Sequence, residues 1–251
     1  MVYGRSSIQI YRQFTQTSYP QLPGERFSLL ILSKYLSMKS IFNFLEIKSC
    51  FGCRNFGYYF CRGCCAKFSP KTLQLSRNIL LSTVSQGNPA MMRAIAGWKD
   101  RHLKRLTSTF ADLLIGAEPN LTKSKPLQII TPPQRRSAYA LRGFNPVSDL
   151  AVELQKRNRY LFYQSDASRY LQEPRDQRGL NTAERRANVK GVFEVTPISG
   201  IPILLLDDVW TTGSTMKELR TAIGDEFEVS RILVLSTAYR LGAKDCWNAF
   251  H

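Results

Sequence analysis

Ile203-Leu204-Leu205-Leu206-Asp207-Asp208-Val209-Trp210-Thr211-Thr212-Gly213-Ser214-Thr215 is the stretch on which the reading of this chain turns. Four apolar residues in succession, without polar alternation, predict a strand covered on both faces, as inside a parallel sheet. Two carboxylates follow, then a loop of hydroxyls with one glycine, and a helix is expected to open near Ser214. Its free backbone N–H groups and positive dipole end would face that loop, where a phosphate is held. Neighbouring side chains on an extended chain point opposite ways, so Asp207 and Asp208 are expected at the strand-to-loop turn, where both reach one ligand. A divalent metal or a phosphorylated sugar would suit. The sugar's anion takes N–H and hydroxyl donors, and its vicinal diol takes carboxylate acceptors. About nine residues carry both functions, enough at roughly 3.3 Å per extended residue to wrap one ribose 5-phosphate. Plain helix capping accounts for single residues here, but not for the order in which they occur. Neither a P-loop nor a Gly-x-Gly-x-x-Gly pattern is present in this run.

The run resembles the phosphoribosyl-diphosphate (PRPP) loop of type I phosphoribosyltransferases: a hydrophobic strand, two acids, then Thr-Thr-Gly-x-Thr. Other segments are Leu141-Arg142-Gly143-Phe144-Asn145, Gln177-Arg178-Gly179-Leu180 and Glu184-Arg185-Arg186-Ala187-Asn188-Val189-Lys190-Gly191-Val192-Phe193. With these the chain is most similar to the ComF family, amidophosphoribosyltransferase-like proteins linked to DNA uptake in competent bacteria. The resemblance runs from about Met38 to Tyr239. It implies an α/β fold with a parallel, doubly wound sheet. Asp207 and Asp208 would hold the ribose hydroxyls and stabilise the positive ring of the transition state. Thr211, Thr212, Gly213, Ser214 and Thr215 would bind the 5-phosphate, Arg142 another phosphate, and Mg²⁺ would bridge pyrophosphate and ribose oxygens. An enzyme of this kind transfers a phosphoribosyl group from PRPP, or a related phosphorylated ribose, to an acceptor that the sequence does not name. Single-stranded DNA and a DNA-import helicase are the implied partners. The competing reading is a non-catalytic factor that handles single strands and retains only the phosphate site. The chain departs from the family at Thr131-Pro132-Pro133, where Pro-Val-Pro is usual, and at Pro146, where Gln-Ala usually follows.

Cys50-x2-Cys53 and Cys61-x2-Cys64 form two close pairs. Each Cys-x2-Cys turn places two sulfurs on one ion, and four thiolates suit tetrahedral Zn²⁺. Two disulfides or reduced core thiols are the alternatives. The first residues do not read as a secretory signal, which predicts a cytoplasmic setting and disfavours disulfides. Cys65 is a second candidate for the fourth ligand, and Cys246 reads as an ordinary thiol. In the resembling family such a cluster sits at the N-terminus. The expected organisation is therefore a ribbon over 38–70, a phosphoribosyltransferase-like domain over 71–251, and a disordered or non-native extension over 1–37, with Met38 as the start. The apolar stretch Phe27 to Leu32 falls far short of the ~20 residues that span a bilayer.

Lysine and arginine number 35 against 19 acidic residues, a formal charge of +16 that favours polyanionic partners. Basic residues crowd between Arg135 and Lys190, interleaved with Tyr139, Phe144, Tyr160, Phe162, Tyr163 and Tyr170. Single strands are held by such mixtures, although strand placement predicts most of these rings in the core. With His102 and His251 alone, histidine-based catalysis has little support. Elsewhere, 68–83 reads as a connector, and one helix is expected from Asn88-Pro89 toward Gly116, with Trp98-Lys99-Asp100 inside it. Strands are expected at 127–130, 160–163, 192–195 and 232–235, and helices at 146–156 and 215–223. The polar run from Arg175 to Asn188 reads as a loop that closes over substrate and excludes water.

Overall fold

Ile203, Leu204, Leu205 and Leu206 are all fully buried, at the centre of a six-stranded sheet. The computed structural model describes residues 48–122, 125–172 and 191–239. The chain divides into units Met1–Lys48 and Ser49–His251, and the fold described here is that of the second. The expectations for 1–37 and Met38, for the segments 177–180 and 184–190, for the loop 175–188, and for Cys246 and His251 lie outside the described residues.

Strands β1 (Lys71–Gln74) and β2 (Leu80–Gln86) pair antiparallel. From β2 onward every pairing is parallel, through β8 (Val229–Thr237), β7 (Ile203–Trp210), β3 (Leu127–Ile130) and β4 (Leu161–Tyr163), in the order β1-β2-β8-β7-β3-β4. Leu204 and Leu206 pack into one core with helices α2 (Pro89–Asp100), α3 (Leu106–Ala117) and α5 (Pro146–Arg157). Ile203 and Leu205 pack on the opposite face against Met216, Leu219 and Ile223 of helix α6 (Ser214–Ile223). Phe193 joins them from a separate antiparallel hairpin, β5 (Ser168–Tyr170) with β6 (Phe193–Val195). Two short helices, α1 (Arg62–Cys65) and α4 (Arg136–Arg142), complete the described elements apart from a 3₁₀ turn at Pro119–Thr122. The protein is thus mixed α/β with a largely parallel central sheet, and β7–α6–β8 is a parallel crossover unit.

Local chemistry sets the helix starts as the sequence leads one to expect. Asn88 Oδ1 accepts from the N–H groups of Ala90 (2.9 Å) and Met91 (3.3 Å). Asn145 Oδ1 accepts from the Ser148 N–H (3.2 Å), again with proline in the first turn.

Several expectations are corrected. The long helix is two helices, because the chain leaves α2 at Asp100 and His102 takes φ 57° in the left-handed region. The turn returns α3 onto α2, where Trp98 Nε1 donates to Thr107 Oγ1 (2.9 Å) and the Trp98 ring meets Phe110 edge-on at 5.1 Å. One apolar period runs through both helices, so the sequence hides the break. The connector 68–83 is the β1–β2 hairpin. Its polar residues masked a buried strand: Ser82 Oγ donates to buried Glu118 (2.5 Å), and Ser85 Oγ pairs with Ser236 Oγ (2.9 Å). Of the six interleaved aromatics only Phe144 is buried; three-residue β4 is a sheet edge, which leaves Phe162 exposed. Finally, β7 does not end at the acids but continues through both to Trp210.

Truncating the central strand should be costly. Leu206→Ala is expected to lose about 2–5 kcal/mol in urea unfolding followed by circular dichroism, whereas exposed Val152→Ala should change stability by roughly 0.5 kcal/mol or less.

Candidate functional site

Because β7 stays extended through Asp207 and Asp208, the two carboxylates leave it on opposite faces. Asp208 shares its side with Leu204 and Leu206, is 4% exposed, and forms an ion pair with Lys99 Nζ from the last turn of α2. Asp207 turns to the α6 side and accepts from the Asp208 N–H through Oδ1 (2.8 Å). Together with Val209, Trp210, Thr211, Gly213, Ser214 and Thr215 it lines a cavity of about 20 Å³, the size of one water.

The turn around this cavity is drawn in on itself. Thr212 Oγ1 and Ser214 Oγ share a hydrogen bond of 2.8 Å, and the Ser214 N–H donates to Thr212 Oγ1 at 3.4 Å. Gly213 sits at φ 74° with the Trp210 ring where a Cβ would stand, so no other residue fits. Ser214, Thr215 and Met216 open α6, and first-turn N–H groups have no partner within their own helix. Asp207 therefore shares its cavity with three hydroxyl residues, Thr211, Ser214 and Thr215, and with the positive end of a ten-residue helix.

Electrostatics follow from this geometry. Burial, and then the adjacent charge of Asp208, push the Asp207 carboxyl up to about 7. For Lys99, burial favours the neutral amine, but the charges of Asp208 and Asp207 outweigh it and hold the ammonium above the ordinary lysine value. Arg142, expected to hold another phosphate, is paired with an acid. Its Nη2 donates to Asp100 Oδ1 (3.2 Å), one residue beyond Lys99, and its charge opposes protonation of Lys99.

A second cavity, of about 830 Å³, lies beyond the ends of β3 and β4 and falls in the range that holds small molecules. Thr131, Pro133, Gln134, Lys104, Arg136, Phe144 and Asn145 are among its walls. Gln134 Nε2 donates to the Phe144 carbonyl (3.1 Å), while its Oε1 is buried without a hydrogen-bond partner. Lys104 Nζ stands 4.8 Å above the Phe144 ring. Ser168 Oγ pins the Thr131 carbonyl (2.6 Å), and Arg169 is held by both oxygens of Glu194 (2.9 and 2.8 Å). The residues singled out in the sequence thus fall in two places. Asp207 and the hydroxyl turn share one cavity, while Gly143, Phe144 and Asn145 line the other.

The cysteine cluster is assembled. The Sγ atoms of Cys50, Cys53, Cys61 and Cys64 all lie within 4.8 Å of one another, with Cys53 and Cys61 at 3.6 Å. Ligand sulfurs on a tetrahedral zinc, at about 2.3 Å from the ion, stand roughly 3.8 Å apart, so the donor set fits a structural metal such as zinc. Gly52 and Cys61 N–H groups each donate to Cys50 Sγ at 3.4 Å. Burial opposes the Cys50 thiolate, yet backbone N–H groups of Cys53, Cys61 and Gly52 outweigh it and bring the thiol down to about 6. Burial and the neighbouring sulfurs push Cys64 up to about 12; a bound cation removes that cost by taking the thiolate as a ligand. Cys65 Sγ instead approaches the Phe60 carbonyl (3.9 Å), so Cys64 is the fourth member of the cluster.

Lys99 is the residue that sequence reading left without a role. Its signals were a cation near the end of an otherwise apolar helix face and a lysine at a similar place in the family that the sequence resembles. Gln134 was legible only as the first N–H donor after Pro132-Pro133.

No family model matches the chain. It is 29% identical over 144 residues to the DNA utilization protein YhgH of Escherichia coli O157:H7, covering 55% of this chain and 63% of that protein. The YhgH proteins of Shigella flexneri and of Escherichia coli K12 are 28% identical over the same length and shares. The match spans less than two thirds of these curated relatives. Among the described residues, no helix is long and apolar enough to cross a membrane.

Two outcomes are expected. The purified chain should carry about one equivalent of zinc by elemental analysis, retained in Cys65→Ser and lost in Cys64→Ser. The raised Asp207 carboxyl binds its proton more tightly in the folded chain than at the unfolded value of 3.8, so its contribution to stability is full at low pH and falls between about 4 and 7. Asp207→Asn should flatten that part of a stability–pH curve measured by urea unfolding.

Proposed function

We propose that this protein binds PRPP with Mg²⁺ at the β7–α6 turn, as a protein of the type I phosphoribosyltransferase kind, and serves in DNA uptake. The observation that carries this reading is the cavity shared by Asp207, the hydroxyls of Thr211, Ser214 and Thr215, and the start of α6. It lies at the carboxyl end of a parallel strand, where open α/β sheets take their ligands. The first-turn N–H groups and hydroxyls suit the 5-phosphate, and the Asp207 carboxylate suits a ribose hydroxyl. At about 20 Å³ the turn is too small for a phosphate. Binding therefore requires the Thr212–Ser214 link to break, which frees both hydroxyls for the anion. With Asp208 neutralised by Lys99, Asp207 is the acceptor that meets the sugar. Mg²⁺, were it bound with PRPP, would offset the negative charge of the pyrophosphate.

The second reading, a factor that handles single-stranded DNA without turnover, is favoured by the exposed side of the knuckle. Phe56 and Tyr58 are 75% and 62% exposed there, with exposed Arg54 and Arg62 nearby in the chain. Aromatic faces for bases beside cations for phosphates are the ingredients of single-strand binding. The relatives' name, DNA utilization protein, supports either reading, and a DNA-import helicase in the cytoplasm is the partner we expect.

Millimolar PRPP with Mg²⁺ should raise the melting temperature of the wild-type chain and leave Asp207→Asn unmoved; no shift in the wild type would defeat the PRPP reading. Labelled single strands titrated across a salt series should bind more weakly as salt rises. A flat response would remove the second reading.

A further inference from the structure

We propose that the cysteine knuckle acts as a strut that sets Lys99 upon Asp208, which makes Lys99 the positioning residue of the acid pair. Its bearing on ligand binding rests on the reading of Asp207 and Asp208 given above; the mechanical link does not.

The link is built from contacts on α2. Phe51 lies between Cys50 and Gly52, and its N–H donates to the Tyr59 carbonyl (2.9 Å) inside the knuckle. Arg93 of α2 reaches back and donates through Nη2 to the Phe51 carbonyl (2.7 Å). The Phe51 ring centre lies 6.0 Å from that of Phe60, and the ring meets the helix at Gly97, where an added Cβ would meet Phe51 Cζ at 3.3 Å and Leu103 Cδ1 at 3.2 Å. The Gly97 carbonyl also accepts the Arg101 N–H (3.0 Å) that closes the helix. Lys99 follows two residues later, about 200° round the helix from Gly97, so α2 passes between the knuckle on one side and Asp208 on the other.

Packed interiors pass such displacements on rather than absorb them. With the four thiolates gathered on a cation, Phe51 is fixed, α2 is seated, and the ammonium rests on Asp208. Lys99 then offsets the charge of Asp208, and Asp207 alone is presented to the hydroxyl turn. When the knuckle opens, Phe51 loses its backing and the end of α2 that carries Lys99 is the part released.

The test reads Lys99 directly. Acetic anhydride labelling of the full metal-loaded chain, resolved by mass spectrometry, compares Lys99 with exposed Lys217 on α6 as internal control. Asp208→Asn should raise the Lys99-to-Lys217 labelling ratio about five-fold, as loss of a contact of roughly one kcal/mol does. Phe51→Ala should raise it in the same sense with zinc content unchanged, and so should chelation of the metal. Gly97→Ala, which wedges a methyl into the same contact, supplies a second variant should Phe51→Ala fail to fold. A ratio that stays at the wild-type value in Phe51→Ala or Gly97→Ala, while Asp208→Asn raises it, overturns the proposal. So does equal reactivity of both lysines after chelation, since the metal would then hold the whole unit and not this helix. No phosphorylated sugar enters the assay, so its outcome is independent of whether PRPP binds.

Discussion

A strand buried on both faces cannot aim two consecutive charged side chains at one ligand. β7 is such a strand through Leu206 and remains extended to Trp210, so its two acids are divided between the two layers of the protein. Asp207 goes to the layer that holds α6 and the hydroxyl turn. Asp208 goes to the layer built by α2, α3 and α5, where a bare carboxylate would cost several kcal/mol. Lys99 is the answer to that cost, and its position at the end of α2 is what lets the strand carry the charge at all.

The rest of the α2 neighbourhood reads as support for this pair. Trp98, beside Lys99, is fully buried and bonded to Thr107, which fixes the turn between α2 and α3. Asp100, on the other side, takes Arg142 and so ties α4 to the same helix end. The knuckle presses on Gly97 from without. Three separate parts of the fold therefore converge on the final turn of one helix. At the opposite end of the sheet a different buried acid, Glu118, is satisfied by Ser82 (2.5 Å) and Arg231 (3.3 Å), which secures the β2 and β8 starts without touching either cavity.

The hydroxyl turn has the composition of an anion site and a closed shape. Gly213 and Trp210 force the chain back on itself, and Thr212 bonds to Ser214. The glycine holds the left-handed conformation that the turn needs. The large cavity beyond β3 is open by contrast, and Pro133 in its wall contributes no N–H group to it.

What the sequence determined by itself was whatever local chemistry decides. The apolar run 203–206 announced a central parallel strand, Asn88-Pro89 and Asn145-Pro146 announced helix starts, and the Cys-x2-Cys spacing announced a four-sulfur cluster. Each of these is settled within one or two turns of chain by backbone hydrogen bonding, burial periodicity or ligand reach. Which acid meets the hydroxyl turn, which of Cys64 and Cys65 joins the cluster, and where the helix after Pro89 breaks were decided only by tertiary structure. Those outcomes depend on how the folded chain brings groups together: Lys99 to Asp208 across more than a hundred residues, Cys65 Sγ toward the Phe60 carbonyl, and Thr107 to Trp98 across a left-handed turn. A single chain of letters records the residues but not which face of one element another comes to cover, and burial of charge is settled by that cover.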